Sequence, residues 1–95
     1  MVWFKLKMWQ IKYKKSFEKD LRKLPKQIIQ RVVKKIDQLQ QEGQAPGVIK
    51  LVGYDNFYRA RIGDYRLVYE RRETDIVLVM IAAGHRKEIY RKLKL

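Results

Sequence analysis

Two alternating segments joined by Gly63-Asp64 are the feature that most constrains the fold of this chain. Residues 58–62 and residues 65–69 place an apolar or aromatic side chain at every second position. A period of two is typical of half-buried strands. Gly63-Asp64 suits a two-residue turn in which glycine supplies the positive φ of the first central position. The sequence therefore predicts a β-hairpin over residues 57–71.

The two-residue turn also predicts which residues face each other across the hairpin. The register pairs Ile62 with Tyr65, Arg61 with Arg66, and Arg59 with Val68. Like charges directly opposite each other in a sheet are destabilising, whereas guanidinium groups bind phosphate through planar, bidentate forks. Arg59, Arg61 and Arg66 are therefore a candidate anion site. A solvated face partly neutralised by Glu70 is the alternative.

The charge of the chain favours a polyanionic partner. Lys and Arg number 23 against 10 Asp and Glu, which gives a formal net charge of +13. Such an excess is typical of proteins that bind nucleic acid, or an acidic protein that mimics it. Residues 1–35 hold twelve Lys and Arg but only Glu18 and Asp20 as acids. A basic surface that serves only solubility is the alternative.

Composition also excludes several classes of protein. The length of 95 residues and the 46% hydrophobic content predict a single folded domain over residues 1–95. The absence of cysteine excludes disulfides and thiolate chemistry, one histidine cannot build a histidine-rich metal site, and no cofactor is expected. No apolar run approaches the ~18 residues of a membrane span. Residues 1–7 do not resemble a signal peptide, so a cytoplasmic protein is expected.

Helical periodicity predicts an αα-hairpin between a first strand, at residues 8–13, and the later strands. The first helix covers Phe17–Leu24, and Pro25 ends it and begins a second helix. The apolar stripe of the second helix covers residues 28–39, and the helix ends at Gly43. The polar face of the pair is rich in lysine at Lys19, Lys23, Lys26, Lys34 and Lys35.

The start of the first helix carries a local capping signal. Ser16 is a plausible N-cap residue. Glu18 and Asp20 follow in the first turn, where the helix dipole favours acidic side chains.

Further strands complete the predicted sheet. Residues 48–51 form a short edge strand, and residues 76–81, apolar on both faces, form a central strand. The basic residues after Gly84 form a short last helix. The predicted fold is α+β, with the order βααβββ(α), an antiparallel sheet of about four strands and the N-terminal αα-hairpin packed on one face.

Gly84-His85-Arg86 is the second candidate for chemistry, because it is predicted to lie just beyond the central strand. His85 is the side chain whose ordinary pKa suits proton transfer near neutral pH, although a lone histidine is more often structural. Arg86 would add a fourth guanidinium group. Tyr90 could stack on a base or simply anchor the core.

Residues 61–69 and 84–90 together resemble the RelE/ParE toxin superfamily, most closely its RelE branch. The resemblance covers residues 8–93, including the first strand and the helix pair, and leaves residues 1–7 as an extension outside it. The fold class that it implies agrees with the α+β arrangement above.

The resemblance implies an enzyme of a toxin-antitoxin system, a ribosome-dependent mRNA endoribonuclease (mRNA interferase). In this family the ribose 2′-OH attacks the adjacent phosphate and leaves a cyclic phosphate. The implied partners are mRNA in the ribosomal decoding site, ribosomal RNA, and a cognate acidic antitoxin that inhibits the toxin in a hetero-oligomer, with no membrane.

The resemblance places functional positions of the family on Arg59, Arg61, Arg66, Arg86 and Tyr90. With His85 added, the expected catalytic set is Arg61, Arg66, His85, Arg86 and Tyr90. The expected phosphate- and RNA-binding set is Arg59, Lys19, Lys23 and Lys26.

One departure from the RelE pattern changes the expected chemistry. RelE toxins commonly carry lysines at the positions of Arg59 and Arg61, and an arginine, with a pKa above ~12, cannot act as a base. We therefore expect both arginines to hold transition-state charge, and His85 to move the proton if any side chain does. A ParE-like DNA gyrase poison and a catalytically silent antitoxin-binding module are the alternatives.

Overall fold

A computed structural model of the chain describes residues 8–93, within which five strands and three helices form an α+β fold, as predicted. The extension at residues 1–7 lies outside the described residues. The elements in chain order are β1 (Gln10–Tyr13), α1 (Lys15–Arg22), α2 (Lys26–Glu42), β2 (Val48–Lys50), β3 (Phe57–Ile62), β4 (Tyr65–Arg72), β5 (Val77–His85) and α3 (Arg86–Leu93).

The strands form one sheet in the order β1-β5-β4-β3-β2. The pairs β5–β4, β4–β3 and β3–β2 are antiparallel, but β1 runs parallel to β5. The sheet is therefore mixed and five-stranded, which corrects the prediction of about four antiparallel strands. Alternation within a strand shows which face is buried, but it carries no information on the direction of a distant partner.

The central hairpin has the predicted register, with Arg61 opposite Arg66 in the β3–β4 ladder. Gly63 has φ +60°, a left-handed conformation that other residues adopt only at a cost. A side chain at this position would also lie 3.1 Å from a guanidinium nitrogen of Arg31. Glycine therefore permits both the turn and the close approach of α2.

Strand β5 is longer than predicted. It continues past residue 81 to His85, with Ala82 paired to Val68 and Gly84 paired to Arg66. Small residues weaken the strand signal, although Ala82, Ala83 and Gly84 are all buried in this strand. The prediction that Gly84 and His85 lie beyond the strand was wrong.

Each face of the sheet has its own core. The larger core lies between the sheet and the αα-hairpin and buries Phe17, Leu39, Leu67 and Met80 almost completely. A smaller core on the other face consists of Leu51, Val68, Ala82 and Ile89, the last from α3. Helix α3 therefore covers the face of the sheet that the helix pair leaves free.

Helix α1 is held by side chains that bond to β5. Strand β1 ends at Tyr13, opposite Met80, so the outer edge of β5 has no strand partner beyond that point. Ser16 Oγ donates to the carbonyl oxygen of Ile81 at 2.8 Å, and Asp20 Oδ2 accepts the N–H of Ala83 at 3.1 Å. The N-cap is Lys14, without a side-chain cap. The prediction of Ser16 as the N-cap was wrong.

The end of α2 agrees with the prediction. Gly43 is the C-cap in a left-handed conformation, with φ +74°, and its N–H donates to the carbonyl oxygen of Leu39 at 2.7 Å. Among residues 8–93, no helix combines the length and the apolar character needed to cross a bilayer.

Candidate functional site

Arg59, Arg66 and Tyr90 come together on the face of the sheet that α3 covers. Arg59 Nη1 donates to the phenol oxygen of Tyr90 at 2.8 Å. The guanidinium carbon of Arg59 also lies 5.3 Å from the centroid of the Tyr90 ring, within the range of a cation–π contact. We call these three residues the arginine–tyrosine cluster. Strands β3 and β4 position its charges, and α3 positions its ring.

Arg66 is the buried member of the cluster, with only 8% of its surface exposed. Its Nη1 donates to the carbonyl oxygens of Gly63 at 2.9 Å and Tyr65 at 2.8 Å. Among residues 8–93, no carboxylate lies within ion-pair distance of it. A buried charge without a counter-charge is costly. A guanidinium group has five donors, so Arg66 is well suited to bind an anion.

Arg66 and Arg59 both lower the pKa of the Tyr90 phenol. Its pKa lies below the ordinary value, chiefly because of the nearby Arg66 guanidinium, with the positive charge of Arg59 acting in the same direction. The hydrogen bond of good geometry comes from Arg59, whereas the Arg66 group has the larger effect on the pKa. The cluster therefore stabilises negative charge at this point of the surface.

An open cleft of about 560 Å³ begins at the cluster and continues along β2 and the segment after it. Besides Arg59 and Tyr90, its lining includes Ile49, Val52 and Tyr54, which are all exposed. Apolar and aromatic walls beside a cationic end suit a stacked base attached to a phosphate.

Arg61 has the predicted backbone position opposite Arg66, and the residue also lines a different cleft. This second cleft has a volume of about 450 Å³ and lies between α2 and the end of β3. Its lining consists of Arg31, Lys34, Lys35, Gln38, Arg61 and Ile62. Arg61 is exposed there, in contrast to the buried Arg66 opposite it in the ladder.

His85 does not join the arginine–tyrosine cluster. It lies within β5 one residue after Gly84, the partner of Arg66, so its side chain points to the opposite face of the sheet. Its ring makes an edge contact with Tyr65, with centroids 5.5 Å apart. It lines a third cleft, of about 320 Å³, together with Asp20 and other residues at the end of the αα-hairpin.

Arg86 begins α3 beside the hairpin turn. Its backbone N–H donates to the carbonyl oxygen of Asp64 at 2.8 Å. Its side chain is exposed. This hydrogen bond fixes the start of α3 against the turn that Arg66 also contacts.

The three lysines of the expected RNA-binding set lie on the helix layer. Lys19, Lys23 and Lys26 are exposed on α1, at its C-cap and at the start of α2, respectively. Lys23 lines the His85 cleft. The structure does not bring these lysines to the arginine–tyrosine cluster.

The sequence places Asp20 in the first turn of α1, but it lies beyond that turn and is only 8% exposed. Besides the N–H of Ala83, it accepts a hydrogen bond from Lys92 Nζ at 3.0 Å. It therefore ties α3, which carries Tyr90, to α1 and β5. The available signal was its spacing of four residues from Ser16, which places both side chains on one side of the helix.

Comparisons with known proteins agree with this fold. Residues 11–90 match the family described as the ParE toxin of type II toxin-antitoxin systems, parDE. The chain therefore belongs to the ParE toxin family of type II toxin-antitoxin systems.

Within this group the chain is RelE-like. It is 32% identical over 85 residues to the toxin RelE3 of Methanocaldococcus jannaschii, a match that covers 85% of this chain and 94% of the relative. The RelB-RelE antitoxin-toxin complex from Methanococcus jannaschii matches with a TM-score of 0.73 and 30% identity, covering 85% of this chain and 96% of that one. The RelE-RelB complex from Pyrococcus horikoshii matches with a TM-score of 0.72 and 34% identity, covering 83% and 96%.

Proposed function

We propose that this toxin is a ribosome-dependent mRNA endoribonuclease. The observation that carries the proposal is Arg66, a buried guanidinium group without a carboxylate partner among residues 8–93. It lies beside the Arg59–Tyr90 pair. A phosphodiester of the mRNA supplies the missing negative charge, and the cleft beyond Tyr90 accepts an adjacent base.

The proposed reaction is attack by a ribose 2′-oxygen on the adjacent phosphorus atom. The new P–O2′ bond forms as the P–O5′ bond breaks, which leaves a 2′,3′-cyclic phosphate and a 5′-hydroxyl. Negative charge grows on the non-bridging oxygens, and Arg66 and Arg59 stabilise it through preorganised donors. Tyr90 orients the strand by stacking, and Arg86 and Arg61 extend the positive field on either side of the turn.

Proton transfer falls to groups outside the toxin in this proposal. The 2′-hydroxyl must lose a proton and the 5′-oxygen must gain one. Because His85 lies on the opposite face of the sheet, we assign it no contact with the scissile phosphate. The ribosome supplies the acceptor for the 2′-hydroxyl proton, and water supplies the proton for the leaving 5′-oxygen, so the toxin cuts mRNA only on the ribosome.

We also propose a cytoplasmic complex with an acidic antitoxin. The two similar structures described above are RelB-RelE antitoxin-toxin complexes, and the net charge of +13 suits an acidic partner. The antitoxin inhibits the toxin in a hetero-oligomer.

A second candidate function is poisoning of DNA gyrase, which the name of the matching family favours. In that case, Arg66 holds the hairpin turn through its bonds to Gly63 and Tyr65 and touches no phosphate. A module that only binds antitoxin is the third candidate.

Controlled expression followed by mapping of mRNA 5′ ends tests the proposal. Wild type should cut mRNA and arrest growth, whereas Arg66→Ala and Arg59→Ala should cut at least about 100-fold more slowly, the scale observed when one oxyanion donor is removed. Arg72→Ala, a change of an exposed arginine in the same strand, is the matched control. Intact mRNA together with gyrase-linked DNA breaks would contradict the proposal and support the second candidate.

Tyr90→Phe and Tyr90→Ala separate the hydroxyl from the ring. Base stacking on an aromatic ring contributes about 1–3 kcal/mol, so Tyr90→Ala should weaken RNA binding by about 5- to 150-fold, and Tyr90→Phe much less. Equal affinities for both variants would exclude stacking. Because Arg66 is buried, circular dichroism and antitoxin binding must first show that each variant folds.

A further inference from the structure

We infer that the cleft between α2 and the end of β3 is a second RNA site, which binds backbone phosphates apart from the strand that is cut. Four cationic residues line its volume of about 450 Å³. They are Arg31, Lys34 and Lys35 of α2 and Arg61 of β3. This site rests on the proposed function, since both take RNA as the ligand.

Within residues 8–93, the cations of this cleft form no ion pair with an acidic side chain. Arg31 lies three and four residues before Lys34 and Lys35, spacings at which like charges destabilise a helix. The positive charges on α2 therefore repel each other and destabilise the helix. An anionic ligand would relieve this repulsion.

Two of these side chains are held in place by the backbone. The Arg31 guanidinium packs against Gly63, where a Cβ would lie 3.1 Å from its nitrogen. Lys35 Nζ donates to the carbonyl oxygen of Pro46 at 3.3 Å. Charges that are already positioned lose less conformational freedom when a ligand binds.

The position of the cleft points to RNA. Arg31 approaches the hairpin turn at Gly63, and Arg66 donates to the carbonyl of the same glycine. The second cleft and the arginine–tyrosine cluster therefore flank one turn, and a folded RNA can contact both. Ile62 is the apolar residue of the lining, whereas a protein partner generally buries an apolar centre. Binding of backbone phosphates requires only cationic side chains and no apolar centre.

Binding of a fluorescein-labelled single-stranded RNA, measured by anisotropy between about 50 and 200 mM salt, tests this site. The variant is Lys34→Gln/Lys35→Gln, and the matched control is Lys12→Gln/Lys15→Gln, a change of two exposed lysines outside the cleft. Each lost phosphate contact should reduce the salt slope by about 0.7. The cleft variant should therefore lose about 1.4 in slope and, at about 0.1 M salt, about 25-fold in affinity.

Each outcome decides the question. A loss confined to the cleft variant supports the second site, even if wild type cuts no mRNA. If both variants lose RNA affinity equally, only the overall charge of the protein matters, and the second site is overturned. If wild type cuts mRNA and neither variant loses RNA affinity, the second site fails while the proposed function stands. If the cleft variant loses affinity for poly-L-glutamate but keeps its affinity for RNA, the cleft binds an acidic protein, and the RNA site is overturned.

Discussion

The carboxylate of Asp20 accepts the backbone N–H of Ala83 at 3.1 Å, across 63 positions of the sequence. Together with Ser16 it replaces the strand partner that β5 lacks beyond the end of β1. The same carboxylate binds Lys92 in α3. One buried acid thus connects the helix pair, the central strand and the helix that carries Tyr90.

We expect Asp20→Ala to lower the free energy of unfolding by about 1–3 kcal/mol, because the buried N–H of Ala83 loses its acceptor. Chemical denaturation measures the change. Asp37→Ala, a change of an exposed acid on α2, is the control and should have little effect. Equal stability of the two variants would show that the Ala83 bond contributes nothing.

Gly43→Ala should destabilise the fold more than Gly53→Ala. Both glycines have positive φ, +74° and +82°, so both substitutions carry a strain of roughly 1–2 kcal/mol. At Gly43 the new Cβ would also lie 2.5 Å from Trp9 Nε1, whereas at Gly53 nothing lies within 4 Å. Thermal unfolding of the two variants compares them. If the two variants have the same midpoint of thermal unfolding, the contact with Trp9 does not limit the residue at position 43.

Stability should fall at alkaline pH because of Tyr69. Burial raises the pKa of Tyr69 to about 12 from 10.0, so its contribution is complete below pH 10 and is lost as the pH rises towards 12. Unfolding measured from pH 9 to 12 should therefore show a smaller alkaline loss in Tyr69→Phe than in wild type. An identical decline in both proteins would assign the effect to other groups.

The phenol of Tyr90 should titrate below its ordinary value of 10.0, because cationic Arg66 and Arg59 favour the phenolate. The difference in phenolate absorbance between wild type and Tyr90→Phe isolates this group. In the background of Arg66→Gln, its pKa should move back up, and in Arg72→Gln it should stay low. If the pKa of Tyr90 is the same with Arg66 and with Gln at this position, the geometry of the cluster is contradicted.

Local patterns predicted the hairpin and the end of α2 at Gly43 well. The positive φ of Gly63 and the register that pairs Arg61 with Arg66 follow from neighbours along the chain. The parallel pairing of β1 with β5 joins Gln10 to Val77, and nothing within either strand specifies such a distant partner.

The position of His85 shows that the extent of a strand determines which residues belong to a site. Because Ala82, Ala83 and Gly84 are weak strand formers, the strand was predicted to end at residue 81. The alternation of side chains continues through them, and it turns His85 away from Arg66. The bulge at Val68/Tyr69 further shifts the register between β4 and β5, and sequence spacing gave no sign of it.

The order in which the site is synthesised determines when it becomes complete. Strand β5 lies between β1 and β4, yet it leaves the ribosome after both, and α3 with Tyr90 follows it. A nascent chain thus exposes Arg59 and Arg66 well before the sheet can close and Tyr90 can reach them. The arginine–tyrosine cluster therefore stays incomplete until α3 has been synthesised, and no partial chain that lacks α3 carries the complete site.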